Sequence, residues 1–112
     1  MKRGDIYYAN LSPAVGSEMD KLRPVLIVSN NANNRAASTI TILPLTSNVS
    51  RIYPFEVLLS PEDSRLPKPS KVQAQQVRTI SKQRIVGDVV NSLSEELMQL
   101  VDAALELHLG LD

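Results

Sequence analysis

Gly16-Ser17-Glu18-Met19-Asp20-Lys21-Leu22-Arg23-Pro24-Val25-Leu26-Ile27-Val28-Ser29 carries a polar, loop-like run straight into an apolar strand. Val25 to Val28 is a short continuous apolar run rich in β-branched residues, which reads as a buried strand. Pro24 biases Arg23 away from helical backbone angles and toward extended ones, so Arg23 marks the strand entrance. Glu18 and Arg23 stand five residues apart at that entrance, where rigid scaffold meets loop, a common place for working side chains. Taken alone, the two read equally well as a surface salt bridge.

Working outward, the chain is mostly strands. Asp5 to Leu11 reads as a strand between Gly4 and Ser12-Pro13, followed by a loop over residues 12 to 22 and a second strand over 24 to 29. Asn30-Asn31-Ala32-Asn33-Asn34 has turn chemistry, since Asn tolerates left-handed angles and bonds its own backbone. Ser38 to Leu43 alternates polar and apolar residues as a third strand, with Pro44 marking an edge or bulge. Phe55 to Leu59 is a fourth strand, and the proline-rich stretch from Ser60 to Ser70 an exposed connection. Val72 to Val77 and Gln83 to Val89 complete six strands.

The end changes period. Leu97, Leu100, Val101, Ala104, Leu105 and Leu109 recur at helical spacing, predicting a helix from Ser94 to Leu109. Ser92 or Ser94 can cap it, and Glu95 and Glu96 suit the positive end of its dipole. His108 falls on the apolar face, where a lone histidine reads as packed. Six short strands closed by one helix predict a mainly β fold: a small, strongly curved sheet or barrel in a single domain, residues 1–112.

Composition excludes several classes. There is no cysteine, hence no disulfide or thiolate chemistry, and a single histidine leaves no zinc-ligand set. No apolar run reaches the length of a membrane span. Met1 to Asp5 starts basic without the apolar segment of a signal peptide, so the cytoplasm is the expected location. The formal net charge is zero, but it is unevenly spread. Residues 91–112 carry five acidic groups and no Lys or Arg, whereas residues 1–90 hold all 12 basic residues against 7 acidic ones. A body at +5 with an acidic C-terminal segment points to a polyanion-binding face on the body.

No Ser-His-Asp set, glycine-rich phosphate loop or metal-spaced carboxylate cluster is present, so neither metal nor cofactor is expected. What remains is Arg23, Glu18, Pro44-Leu45-Thr46-Ser47-Asn48 and Gln75-Gln76-Val77-Arg78-Thr79. An arginine fork matches phosphate geometry, and a threonine hydroxyl can donate to a phosphoryl oxygen. Together they suit charge developing on phosphate, usually the largest catalytic term. Tyr7, Tyr8, Tyr53 and Phe55 are candidates to stack on unpaired bases.

In order and spacing, Arg3-Gly4-Asp5-Ile6-Tyr7, Gly16-Ser17-Glu18, Arg23-Pro24-Val25, Pro44-Leu45-Thr46, Tyr53 to Val57 and Gln76 to Arg84 resemble the MazF/PemK-type toxins of bacterial type II toxin–antitoxin systems. The resemblance runs over nearly the whole chain. It implies an SH3-like β-barrel (MazF/PemK/CcdB-like) with a C-terminal helix, assembled as a homodimer. It implies metal-independent, sequence-specific cleavage of single-stranded RNA, most simply mRNA, leaving 2′,3′-cyclic phosphate and 5′-hydroxyl ends. The family's catalytic positions fall on Arg23, Thr46 and Glu18, and its RNA contacts on Ser17, Asn30, Gln76 and Arg78. The partner implied is a cognate antitoxin with an acidic, disordered C-terminal tail. The rival is a non-catalytic, gyrase-inhibiting toxin of the same architecture; that mode uses a tryptophan near the C-terminus, and this chain has none.

Overall fold

Seven antiparallel strands and a C-terminal helix make up the computed structural model, which describes residues 1–18 and 21–111. Met19 and Asp20, within the loop read over residues 12–22, and Asp112 lie outside the described residues. The strands are β1 (Asp5–Asn10), β2 (Leu22–Ile27), β3 (Thr39–Thr46), β4 (Glu56–Leu59), β5 (Ser70–Gln73), β6 (Arg78–Ser81) and β7 (Ile85–Ser92). The ladder runs β4-β5-β3-β2-β1-β7, with β6 also paired to β3. This is the mainly β, SH3-like arrangement expected.

β3 holds the sheet together by changing partners along its length. One edge pairs with β2 (Val25↔Pro44, Leu26↔Leu43, Ile27↔Ile42). The other pairs first with β6, from Thr39 to Ile42, and then with β5, at Leu45 and Thr46. Pro44 lies in the interval between those two partners. It is buried inside the strand rather than at an edge, and its missing N–H costs no ladder bond on that side.

Period-two alternation separates two cores, one on each face. Ile6, Leu26, Leu43, Leu45, Val57 and Val72 face one way; Ala9, Leu11, Val25, Ile27, Ile40, Ile42 and Ile80 face the other. The helix α3 (Glu95–Leu109) covers the first face with Met98, Val101 and Ala104. Val101 is fully buried, which contributes about 2 kcal/mol by area removed from water. Ser94 caps the helix by accepting from the Leu97 N–H at 3.2 Å. Gly110 ends it at φ +71°, a left-handed angle that glycine adopts without strain. Asp102 pairs with Arg3, tying the helix to the start of β1.

Several local expectations change. Asn30 to Asn34 is not a turn: Asn30 caps α1 (Asn31–Ala36), its side chain accepting from the Asn33 N–H at 2.8 Å. Lys82 then donates to the Asn34 carbonyl at 2.6 Å, so a tertiary contact holds a helix of weak formers. Residues 60–70 are not merely exposed. They form α2 (Pro61–Ser64), and Ser64, Leu66 and Ser70 are buried. The strand read over 72–77 stops at Gln73 and tightens into a 3₁₀ turn over Ala74–Gln76. β6 follows, unforeseen because Arg78-Thr79-Ile80-Ser81 offers one apolar residue and so no alternation to read. A second 3₁₀ turn, Lys82–Arg84, delays β7 to Ile85. His108 is exposed rather than on the packed face, its ring tilted toward Phe55 at 6.4 Å. Leu100 and Leu109 are likewise more than half exposed, because α3 buries only a narrow stripe.

Candidate active site

Along the second core face the apolar side chains give way to polar ones at a single end. On β2 the sequence of that face is Ile27, Val25, Arg23; on β3 it is Ile40, Ile42, Pro44, Thr46. The β2–β3 register, carried two residues beyond Val25↔Pro44, sets Arg23 beside Thr46. Arg78 lies across from Ile42 on β6 and shares that face. Arg23 and Thr46 thus stand side by side at one end of the curved sheet, while Arg78 shares their face from a position four residues back along β3.

Arg23 is half-buried and pairs with Ala9 across the β1–β2 ladder. It lines a cleft of ≈ 200 Å³ with Tyr8, Leu45, Ser47, Lys68 and Ser70. Thr46 is the last residue of β3, and its Oγ1 accepts from the Asn48 N–H at 3.2 Å. That contact uses a lone pair and leaves the hydroxyl proton available to donate. Arg78 donates through Nη1 to the Leu11 carbonyl at 3.4 Å, and Arg84 donates to the Asn10 and Ser12 carbonyls at 3.0 and 2.6 Å. Two arginines therefore brace the base of the loop that carries Glu18.

Glu18 is exposed in that loop, its Oε1 accepting from the Val15 N–H at 3.0 Å. Ser17 and Gln76 are brought together, Gln76 Nε2 donating to the Ser17 carbonyl at 3.2 Å. Asn30 is set apart. It follows the far end of β2, and four strand steps from Arg23 to Ile27 alone span about 13 Å. Tyr7 packs half-buried against the second core; burial first, then the Asp5 and Asp88 carboxylates, raises its phenol pKa. Among the described residues no three His, Cys, Asp or Glu side chains gather as metal ligands.

Sequence reasoning passed over the charges beside Thr46. Lys71 is its direct cross-strand partner, and both Lys71 and Glu56 are buried, 8% and 6% exposed. Lys71 Nζ donates to Glu56 Oε1 at 3.0 Å and to the Arg51 carbonyl at 2.8 Å. Glu56 Oε1 also accepts from the Tyr53 N–H at 2.9 Å, and its Oε2 from Gln75 Nε2 at 2.7 Å. Burial by itself would raise the Glu56 carboxyl pKa. The hydrogen bonds from Tyr53, Gln75 and Lys71, with the lysine's charge, outweigh it and hold the group below its ordinary range. Alternation places Lys71 on the face opposite Val72, and no local signal marks it as buried.

Residues 2–109 match the family model described as PemK-like, MazF-like toxin of type II toxin–antitoxin system. The chain is 42% identical to the endoribonuclease MazF9 of Mycobacterium tuberculosis, over 99% of this chain and 98% of that protein. It is 38% identical to the endoribonuclease EndoA of Bacillus subtilis, over 99% and 96%. Among solved structures, a mycobacterial endoribonuclease in complex with its cognate antitoxin superposes with a TM-score of 0.81 at 30% identity, covering 100% of this chain and 97% of that one. A MazF from Deinococcus radiodurans gives a TM-score of 0.84 at 25% identity, covering 98% and 96%.

Proposed function

We propose that this chain, which belongs to the PemK-like, MazF-like toxins of type II toxin–antitoxin systems and is an endoribonuclease of that family, cuts single-stranded RNA by directing the RNA's own 2′-hydroxyl onto the adjacent phosphate. Arg23 beside Thr46 at the polar end of one sheet face, with Arg78 further along that face, carries this reading. In the reaction the 2′-oxygen bonds to phosphorus, the bond from phosphorus to the 5′-oxygen breaks, and the 5′-oxygen takes up a proton. The products are a 2′,3′-cyclic phosphate and a 5′-hydroxyl. The substrate supplies the nucleophile, so the protein must orient the strand, stabilise charge on the non-bridging oxygens and manage two protons.

Arg23 and Thr46 take the charge: a planar guanidinium can bridge two phosphoryl oxygens, and the Thr46 hydroxyl can donate a third hydrogen bond. Arg78 adds positive charge along the same groove. Glu18 is the carboxylate suited to accept the 2′-proton, from a loop whose Ser17, with Gln76 beside it, holds the entering strand. Its planar fork of N–H donors suits Arg23 to the stabiliser's role, leaving the proton to Glu18 or to water. No metal takes part. The reaction takes place in the cytoplasm on mRNA; among the described residues no helix is long and apolar enough to cross a membrane.

Two chains form a dimer through apolar side chains the fold leaves exposed, Val86 and Val89 on β7 and Leu107 on α3. Met98, in contrast, belongs to the core. A cognate antitoxin neutralises the toxin, its acidic tail ordering on the basic groove around Arg23 and Arg78.

The test is a pooled RNA incubated with the protein in EDTA, with mapping of new 5′ ends. Cleavage should persist and yield 5′-hydroxyl termini, and a strand with 2′-deoxy at the scissile position should resist. Efficient cutting of that deoxy strand would overturn the mechanism. Sedimentation at micromolar concentration should give a dimer; a 12.3 kDa monomer that cuts RNA would remove the dimer as the active form.

A further inference from the structure

Lys71 occupies an unusual place for a lysine: buried, directly across the ladder from Thr46, with its ammonium turned onto Glu56 and the Arg51 carbonyl. The segment it grips, residues 47–55, leaves β3 immediately after Thr46 and returns as β4 at Glu56. One carboxylate oxygen, Glu56 Oε1, accepts from both Lys71 Nζ and the Tyr53 N–H. The loop is therefore fastened at Arg51 and at Tyr53 through a single buried knot, with Gln75 locking the other oxygen.

On its outer side the same loop presents Tyr53, 41% exposed, stacked on Phe55 at 5.5 Å between ring centres. The Arg51 guanidinium and the Lys71 ammonium lie 5.7 and 5.8 Å from the Tyr53 ring centre, within range of cation–π attraction. A buried ion pair is weak evidence for added stability, because desolvation offsets most of the attraction. Its geometric effect is not in doubt: it fixes two loop residues relative to the strand that ends in Thr46.

We propose that Lys71, locked to Glu56, is a positioning residue for RNA cleavage, holding the 47–55 loop as a rigid wall beside Thr46 so that the strand lies in one register over the site. The proposal rests on the reading that Thr46 and Arg23 stabilise the reacting phosphate. A loose wall lets the phosphate drift, and misplacement by about 1 Å is enough to cost on the order of 100-fold in rate. Lys71 itself does not touch the reacting atoms.

The experiment compares the full-length wild-type chain with K71M/E56L, which replaces the charges by apolar groups without leaving either one buried alone. Thermal unfolding is measured beside kcat, KM and the distribution of cleavage sites on a pooled RNA. The expected result is a folded protein with kcat lowered at least about tenfold and cleavage spread over more sequences. K71R, which keeps donors for Glu56 and the Arg51 carbonyl, should restore most of both. A purely structural pair would shift the unfolding midpoint alone, and unchanged kcat and site preference in the folded double variant would overturn the proposal. Should K71M/E56L not fold, K71M/E56Q keeps an acceptor for the Tyr53 N–H, removes the grip on Arg51 and the tie between residues 71 and 56, and is read the same way. T46A separates the two ideas: if it cuts normally, the reading of the site fails, whereas a slow T46A beside a normal K71M/E56L sinks the positioning role alone.

Discussion

Arg23 and Lys71 are cations on the same face of the sheet with opposite fates. Lys71 is buried on Glu56 inside the fold, while Arg23 is half-buried and lines a cleft with Ser47. Arg23→Ala and Thr46→Ala should each lower the cleavage rate roughly 100-fold or more, as removal of a transition-state donor does elsewhere, with circular dichroism unchanged. Arg23→Lys should also be poor, since a point charge cannot replace a planar fork. Glu18→Ala should cost less, because water in an exposed loop can take the proton. Near-native rates in both alanine variants would withdraw the site.

Asn30 shows how an element can claim a residue that sequence resemblance offers to the substrate. Its side chain satisfies the Asn33 N–H at the start of α1, and it follows the end of β2 away from Arg23. Asn30→Ala should therefore destabilise the fold by about 1 kcal/mol, the usual loss for an N-cap, and leave kcat unchanged. A large drop in kcat with no change in urea midpoint would return Asn30 to the RNA groove. Ser94 caps α3 in the same manner, and there the sequence signal was complete: a cap, two acidic residues in the first turn and a clear apolar period. α1 offered only asparagines. Its helix depends on Lys82, which reaches it from 48 residues away.

Acid should probe the whole molecule through Glu56. Its folded pKa is depressed below the unfolded value of about 4.3. The stabilisation it contributes is complete above that unfolded value and is lost as pH falls through the folded pKa. Urea unfolding should therefore show stability falling as pH drops below about 4.3, and Glu56→Gln should flatten that slope while lowering stability at pH 7. An unchanged slope in the variant would assign the acid sensitivity to other carboxylates.

The sequence by itself determined the fold class and the C-terminal helix with its capping serine, and it singled out Arg23 and Thr46 as the pair proposed for the site. Those features are written locally, in alternation over adjacent residues, in a 3.6-residue period, and in ordered short motifs. Tertiary structure alone decided the rest. β6 exists because it pairs with β3 along Thr39–Ile42, and its single apolar residue, Ile80, cannot announce that by itself. Pro44 sits mid-strand because the switch from β6 to β5 leaves an interval where no N–H is required. Lys71 and Glu56, 15 residues apart, look like outward-facing charges, one at the head of a strand and one inside an apolar run. They become a buried knot beside Thr46 only when β4, β5 and β3 align, because burial and cross-strand register depend on contacts between distant segments.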